Sequence, residues 1–368
     1  MKRQLLGVAA ILLSISTYAQ DNPLWMRYCA ISPDGTTIAF TYKGDIYTVP
    51  STGGRASQIT TNPAHDTKPI WSPDGKKIAF ASDRMGSMDI FEVNKEGGIP
   101  KRLTTHSGNE TPVAYKDAGH ILFLANIMPT AEDAQFPSGQ FQQVYEVNTE
   151  GGRPILFSSM PMEDISINHT GNTLLYHDKK GYEDPWRKHH TSSITRDIWL
   201  CSLNGNRTFR KQTAFNGEDR TPVWASDDKS FYYLSEEKGS FNIFKRDIDG
   251  NTSKQITNHT KHPVRFLSAA SNGTLCYGYD GEIYTVKEGA IPQKVQISIV
   301  TDKNDKDLIR QIKRSGATEI SLSPDAKEIA FVLRGDVYVT STEYSTTKQI
   351  TNTCLLYTSD AADDLTRV

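Results

Sequence analysis

Cysteine is scarce: four in 368 residues (Cys29, Cys201, Cys276 and Cys354), none in a Cys-x-x-Cys or other metal spacing. That excludes a thiolate zinc motif, and sequence alone cannot choose a disulfide pairing. Cys29 and Cys276 lie in strand-like runs, so buried free thiols are the expected state. Charge of one sign is also lacking, with 41 basic against 43 acidic residues and a net charge of −2. A nucleic-acid binder needs a strongly basic face, so that class is excluded. The one long apolar run, residues 5–15, falls short of the ~20 residues that span a bilayer. No Gly-x-Ser-x-Gly elbow, His-Glu-x-x-His helix or Walker loop occurs. What is present is aromatic: Phe, Trp and Tyr make 10% of the chain, which argues against disorder.

The apolar run has a function of its own. Lys2 and Arg3 precede it, and Thr17 and Ala19 supply small residues at −3 and −1. This is the pattern of a secretory signal peptide cut after Ala19, which predicts a periplasmic or secreted protein starting at Gln20. No membrane span is expected after cleavage.

A repeat organises the rest. The turn Ser32-Pro33-Asp34-Gly35 leads to Ile38-Ala39-Phe40, and the pattern returns at residues 72–80 and 323–331. Weaker copies end at Phe123, Tyr176, Tyr233 and Tyr277. Spacings between the closing aromatics are 40, 43, 53, 57, 44 and 54 residues. Each copy is followed by a second signature, as in Asp45-Ile46-Tyr47, Asp89-Ile90-Phe91 and Asp197-Ile198-Trp199. Glycine turns such as Gly53-Gly54 and a short run ending in Gln58-Ile59-Thr60 complete the unit.

Pro and Gly in the first motif supply turn dihedrals, and the β-branched and aromatic runs suit paired strands. Four strands in about 40 residues, repeated, is the arithmetic of a β-propeller blade. A β-sandwich is the competing architecture, but it predicts no turn motif returning at nearly one period. The expected fold is all-β: a six-bladed propeller over residues 20–298, a polar linker at 299–316, and one further blade at 317–353. A single seven-bladed ring with a long connector is the alternative division. Residues 354–368 have neither turn nor strand logic and read as a non-native tail.

These repeats resemble the WD-like blades of TolB-type propellers. Their combination is similar to the amino-terminal part of secreted tricorn-like serine peptidases over roughly residues 21–353. The most specific match is Tyr176-His-Asp-Lys-Lys-Gly-Tyr-Glu-Asp-Pro-Trp-Arg-Lys-His-His190, running into Thr195-Arg-Asp-Ile-Trp199. The resemblance implies a six-bladed propeller, then a seven-bladed one, a PDZ-like module and a serine-peptidase domain. It thereby implies that the nucleophile lies beyond this chain. An Arg-Arg pair that holds peptide carboxylates in some relatives is missing here.

The chemistry-bearing cluster is an insertion in the fourth blade, about residues 177–196. It carries Trp186, Arg187, Lys188, His189 and His190, candidates for peptide contact or domain docking because Arg and Trp anchor interfaces. A solvated loop packed on a neighbour is the plainer reading, and the adjacent histidines lack a third ligand for a metal site. The insertion at 126–140, with Glu132 and Asp133, reads as a surface connection. Asp66, Glu110 and Asp219 are expected to cap strand starts around a central channel.

No cofactor or metal is expected. Expected partners are peptides or unfolded segments and the absent second propeller, PDZ-like and peptidase domains; self-association is left open. The functional expectation is the non-catalytic propeller of a periplasmic tricorn-like peptidase. A stand-alone TolB-like interaction propeller is the alternative.

Overall fold

The computed structural model describes residues 23–126, 141–181, 194–300, 314–344 and 346–351. Among the described residues the regular structure is all strand, arranged as seven four-stranded antiparallel sheets and one two-stranded parallel pair. This is the all-β propeller architecture that the repeat predicts.

Blade 1 comprises Arg27–Ile31, Thr37–Tyr42, Asp45–Pro50 and Ser57–Gln58. Its first turn forms as the motif requires. Asp34 Oδ1 accepts from the Thr36 N–H at 3.0 Å, Ser32 Oγ accepts from the Thr37 N–H at 3.0 Å, and Gly35 takes φ +75°. Ser72 with Asp74 and Ser323 with Asp325 repeat these contacts. Hydrogen bonds to Ser32 and Thr36 hold the Asp34 carboxyl below its ordinary pKa, as expected for a carboxylate that accepts several donors.

Each closing aromatic lies directly across from the aromatic of the second signature. Phe40 pairs with Tyr47, Phe80 with Phe91, Phe123 with Tyr145, Tyr176 with Trp199 and Tyr277 with Tyr284. Such cross-strand pairs add to burial, and the Phe40–Tyr47 rings stack at 5.8 Å. In four of the ring blades a final Thr closes the outer strand. Thr60, Thr104, Thr213 and Thr257 each accept the backbone N–H of the Ile in the second signature, at 2.9–3.0 Å.

Blades 2 to 6 begin with Asp66–Trp71, Glu110–Asp117, Met162–Ile167, Asp219–Trp224 and Arg265–Ala269. Each of these inner strands packs on the next, and the last packs on Arg27–Ile31, so six blades close a ring. Trp71 and Trp224 donate their ring N–H to Ala30 O and Ser166 O of the preceding blade, at 2.8 and 3.0 Å.

Closure has a further tie. Ile297–Ser298 pairs in parallel with Gly54–Arg55 on the rim of blade 1. Gly54 N–H donates to Gln296 O at 2.8 Å, and Val295 and Ile297 join Met26, Ile31 and Phe40 in one apolar cluster.

The seventh sheet is Ala317–Leu322, Glu328–Leu333, Asp336–Ser341 and Thr347–Gln349. Its first strand is exposed along its length, with Ile320 71% and Leu322 57% exposed.

Candidate functional site

Every inner strand is the edge of its sheet, and every one is broken by a β-bulge opposite the closing aromatic. In five blades two residues face that one aromatic, and the first takes a left-handed backbone. These are Tyr28 (φ 52°), Lys68 (53°), Asp164 (48°), Thr221 (52°) and Phe266 (56°). In blade 3 the break falls at Pro112 and Ala114. Non-glycine residues held in this region cost about 1–3 kcal/mol each and occur where the surroundings overdetermine them. Bulges redirect side chains, and here they turn them to the ring axis. All five residues, with Pro112, line a central cavity of about 690 Å³.

The lumen is chemically lopsided. On the blade 4–5 side, Glu163 Oε1 accepts from Lys179 Nζ at 2.8 Å, and its Oε2 lies 3.2 Å from His177 Nε2. Burial pushes the Glu163 carboxyl up, but the hydrogen bonds from His177 and Lys179 and the Lys179 charge outweigh it and hold it well below the ordinary carboxylate range. The other nitrogen of His177 accepts from the Thr221 N–H at 3.3 Å, and Thr221 Oγ1 donates to Asp164 at 2.6 Å. Behind this layer, Arg196 donates to Glu218, a side chain with no exposure. Arg220 approaches the same carboxylate at 3.7 Å and covers the Phe241 ring at 4.0 Å.

Two blades away, Lys68 sits over the Tyr28 ring, its Nζ 5.8 Å from the centroid. Burial lowers its pKa, while Asp164 and Glu163 pull the other way. The lumen thus offers a desolvated ammonium on one wall and a carboxylate cluster on another. That pattern suits an extended, zwitterionic chain with groups of both signs. Among the described residues, no group of three His, Cys, Asp or Glu side chains is placed to hold a metal ion.

Trp186, Arg187, Lys188, His189 and His190 lie outside the described residues, as does most of the 126–140 loop. The feet of the blade-4 insertion are described, and His177, Lys179 and Arg196 all stand in the channel wall. Asp66, Glu110 and Asp219 do begin inner strands, but they are fully buried between blades and lie outside the cavity lining. Asp66 takes Arg84 on both carboxylate oxygens, at 2.9 and 3.0 Å. The bulge residues were not singled out from sequence. A signal existed in Pro69 and Pro222, because proline inside a strand pattern marks an edge or a bulge.

Comparison with known proteins agrees with this architecture. Residues 23–290 match the family model of the tricorn protease N-terminal β-propeller domain. Tricorn protease homolog 1 of Streptomyces coelicolor is 25% identical over 281 residues, 75% of this chain and 25% of its own length. The tricorn protease homolog of Saccharolobus solfataricus is 27% identical over 295 residues, 76% of this chain and 26% of its own. Among solved structures, a crystal structure of the tricorn protease superposes with a TM-score of 0.62 at 20% identity. It covers 91% of this chain and 32% of that one. The chain therefore spans about a quarter of the length of these curated relatives.

Proposed function

Because the chain belongs to the tricorn protease N-terminal β-propeller family, we propose that it is the non-catalytic propeller part of a periplasmic tricorn-like peptidase. In that role it gates or guides peptides and docks the catalytic part. The supporting observation is the lumen itself, in which six sheet edges converge on a cavity of about 690 Å³ walled by Lys68 and by Glu163, Asp164 and His177. Sheet edges bind extended chain through main-chain hydrogen bonds, and the flanking side chains select among sequences.

The seventh sheet supports a second assembly after the ring. A lone blade cannot bury both faces, and exposed Ile320 and Leu322 are the surface that a following blade would cover. A stand-alone interaction propeller remains the second reading. It draws on an uncharacterized protein of Agrobacterium fabrum that is 33% identical over 218 residues, 68% of that protein's length. Extending the gene past Thr353 separates the two: further blades, a PDZ-like module and a serine-peptidase domain support the first, and a prompt stop codon supports the second.

The channel is tested directly by titrating the chain from Gln20 onward with labelled peptides in matched free-acid and amidated forms. Lys68→Glu should weaken the acid form several-fold more than the amide. Equal affinities for both forms in both proteins remove the lumen from the site. No peptide-bond hydrolysis is expected, because the nucleophile is proposed to lie in the absent domain.

A further inference from the structure

Cys29 and Cys276 meet at the seam where the ring closes. Cys29 is in the inner strand of blade 1, within the bulge opposite Phe40, and Cys276 is in the second strand of blade 6. They are 4% and 0% exposed and share one apolar cluster with Ile31, Phe40 and Ile283. Both are free, buried thiols in this structure, and the strands that carry them pack against each other. Ser268 pins the two strands beside them. It is the register partner of Cys276, its Oγ accepts from the Ile31 N–H at 3.1 Å, and that Oγ lies 3.5 and 3.4 Å from the Cys29 and Cys276 carbonyl oxygens. The two cysteines differ in access, since Cys29 also lines the channel and Cys276 does not.

We propose that Cys29 and Cys276 form a disulfide that fastens blade 6 to blade 1 when the chain folds in the presence of a small-molecule disulfide such as oxidised glutathione. The Cys29 thiolate, on the channel side, attacks glutathione disulfide and releases one glutathione thiolate. The Cys276 thiolate then attacks the Cys29 sulfur of the mixed disulfide and releases the second. The two cysteines are oxidised, the glutathione disulfide is reduced, and the two protons pass to the released thiolates. Burial, reinforced by Cys29, pushes the Cys276 thiol well above its ordinary pKa, so the second step belongs to folding, before the seam is fully packed. Once made, the bond is shielded by the same packing. The cross-link suits this ring because each four-stranded blade is built from its own stretch of chain, and among the described residues the strand pairing between last and first blades is the short parallel tie of Ile297–Ser298 to Gly54–Arg55. Joining residues 29 and 276 closes nearly the whole ring into one loop, the case in which a cross-link restricts the unfolded chain most.

The full chain from Gln20 onward should be refolded from urea in a reduced and oxidised glutathione buffer, then denatured, alkylated with N-ethylmaleimide and weighed intact. Two of its four cysteines should escape alkylation, and peptide mapping should find the Cys29 and Cys276 peptides joined. The urea midpoint of this material should fall on adding dithiothreitol, whereas that of the Cys29→Ala, Cys276→Ala double variant should not move. Alkylation of both Cys29 and Cys276, or a linkage through Cys201 or Cys354 instead, overturns the proposal. Because the mass measurement is made on the unaltered chain, a variant that fails to fold does not blunt it.

Discussion

Thr221 donates a 2.6 Å hydrogen bond to Asp164 across the junction of two neighbouring blades, and both residues hold left-handed backbone, at φ 52° and 48°. The bond joins two bulges that occupy the same place in their sheets. It shows what the repeat accomplishes on the channel side. Five of the six ring blades use one strained position to direct a side chain inward, and in blades 4 and 5 two of these positions bond to one another.

Lys68 tests the strain. Glycine adopts positive φ without penalty, whereas a β-branched residue there is a severe outlier. Lys68→Gly should leave stability unchanged or raise it by up to about 1 kcal/mol, and Lys68→Val should lower it by about 1–2 kcal/mol. Urea unfolding of the three proteins decides, and a Val variant as stable as the parent would remove the strain from the account.

Gly53 tests the closure. It sits at φ +91°, and a Cβ there would stand 2.7 Å from the Gln296 carbonyl oxygen. Gly53→Ala should therefore break the parallel tie to Ile297–Ser298 and cost about 1–3 kcal/mol. Amide exchange should speed up at residues 295–299 and stay slow in the blade-3 strand His120–Ala125. Uniform acceleration across both would mean that the tie does not act locally.

Arg196 tests the buried ion network. Removing it takes a guanidinium from Glu218, a fully buried carboxylate, and loosens the foot of the blade-4 insertion. Arg196→Met should cost about 3 kcal/mol, and adding Glu218→Gln should recover part of that, because a buried carboxylate that loses its 2.5 Å guanidinium partner and keeps Arg220 at 3.7 Å is worse placed than a neutral amide. Additive losses in this double-mutant cycle would show that the pair is not coupled.

The blade junctions predict an unusual pH dependence. Burial, helped by neighbouring Asp66, Asp89 or Asp197, pushes Asp45, Glu110 and Asp219 up to about 7. These groups stay protonated in the folded state at pH values where the unfolded chain has ionised them. The folded state then binds more protons between about pH 4 and 7, and stability falls as pH rises through that window. Glu110→Gln should flatten the slope by at most about 1.4 kcal/mol per pH unit. The depressed Glu163 acts oppositely, losing its contribution only in acid. A stability curve flat from pH 4 to 7 would contradict the raised values.

Export and the blade-4 insertion carry their own outcome. Amino-terminal sequencing of secreted protein should begin at Gln20, and retention of Met1 would refute the signal peptide. Charge reversal at Arg187 and Lys188 should weaken free-acid peptides more than amidated ones. Unchanged discrimination removes Arg187 and Lys188 from the site.

The blade was legible because its contacts are local. Ser32, Asp34 and Thr37 satisfy one another within five residues, and Phe40 meets Tyr47 across a single hairpin. The blade-4 insertion was recognisable as a chemical cluster for the same reason. Among the described residues, its feet His177, Lys179 and Arg196 stand in the channel wall, a placement that composition alone did not mark.

By its own pattern, then, the sequence determines the fold class, the repeat of the blade unit and the positions of its turns and aromatic pairs, since each depends on neighbours along the chain, whereas closure after six blades was decided by the tertiary structure. The tertiary structure also decided which residues face the lumen, how buried acids meet between blades, and which cysteines share a core. A bulge such as that at Lys68 is stable only when flanking blades overdetermine it. The pairing of Gly54 with Ile297 and the common core of Cys29 and Cys276 join residues more than two hundred positions apart. Pairings at that separation leave no periodic trace, because they depend on how the ring closes and not on how any one blade folds.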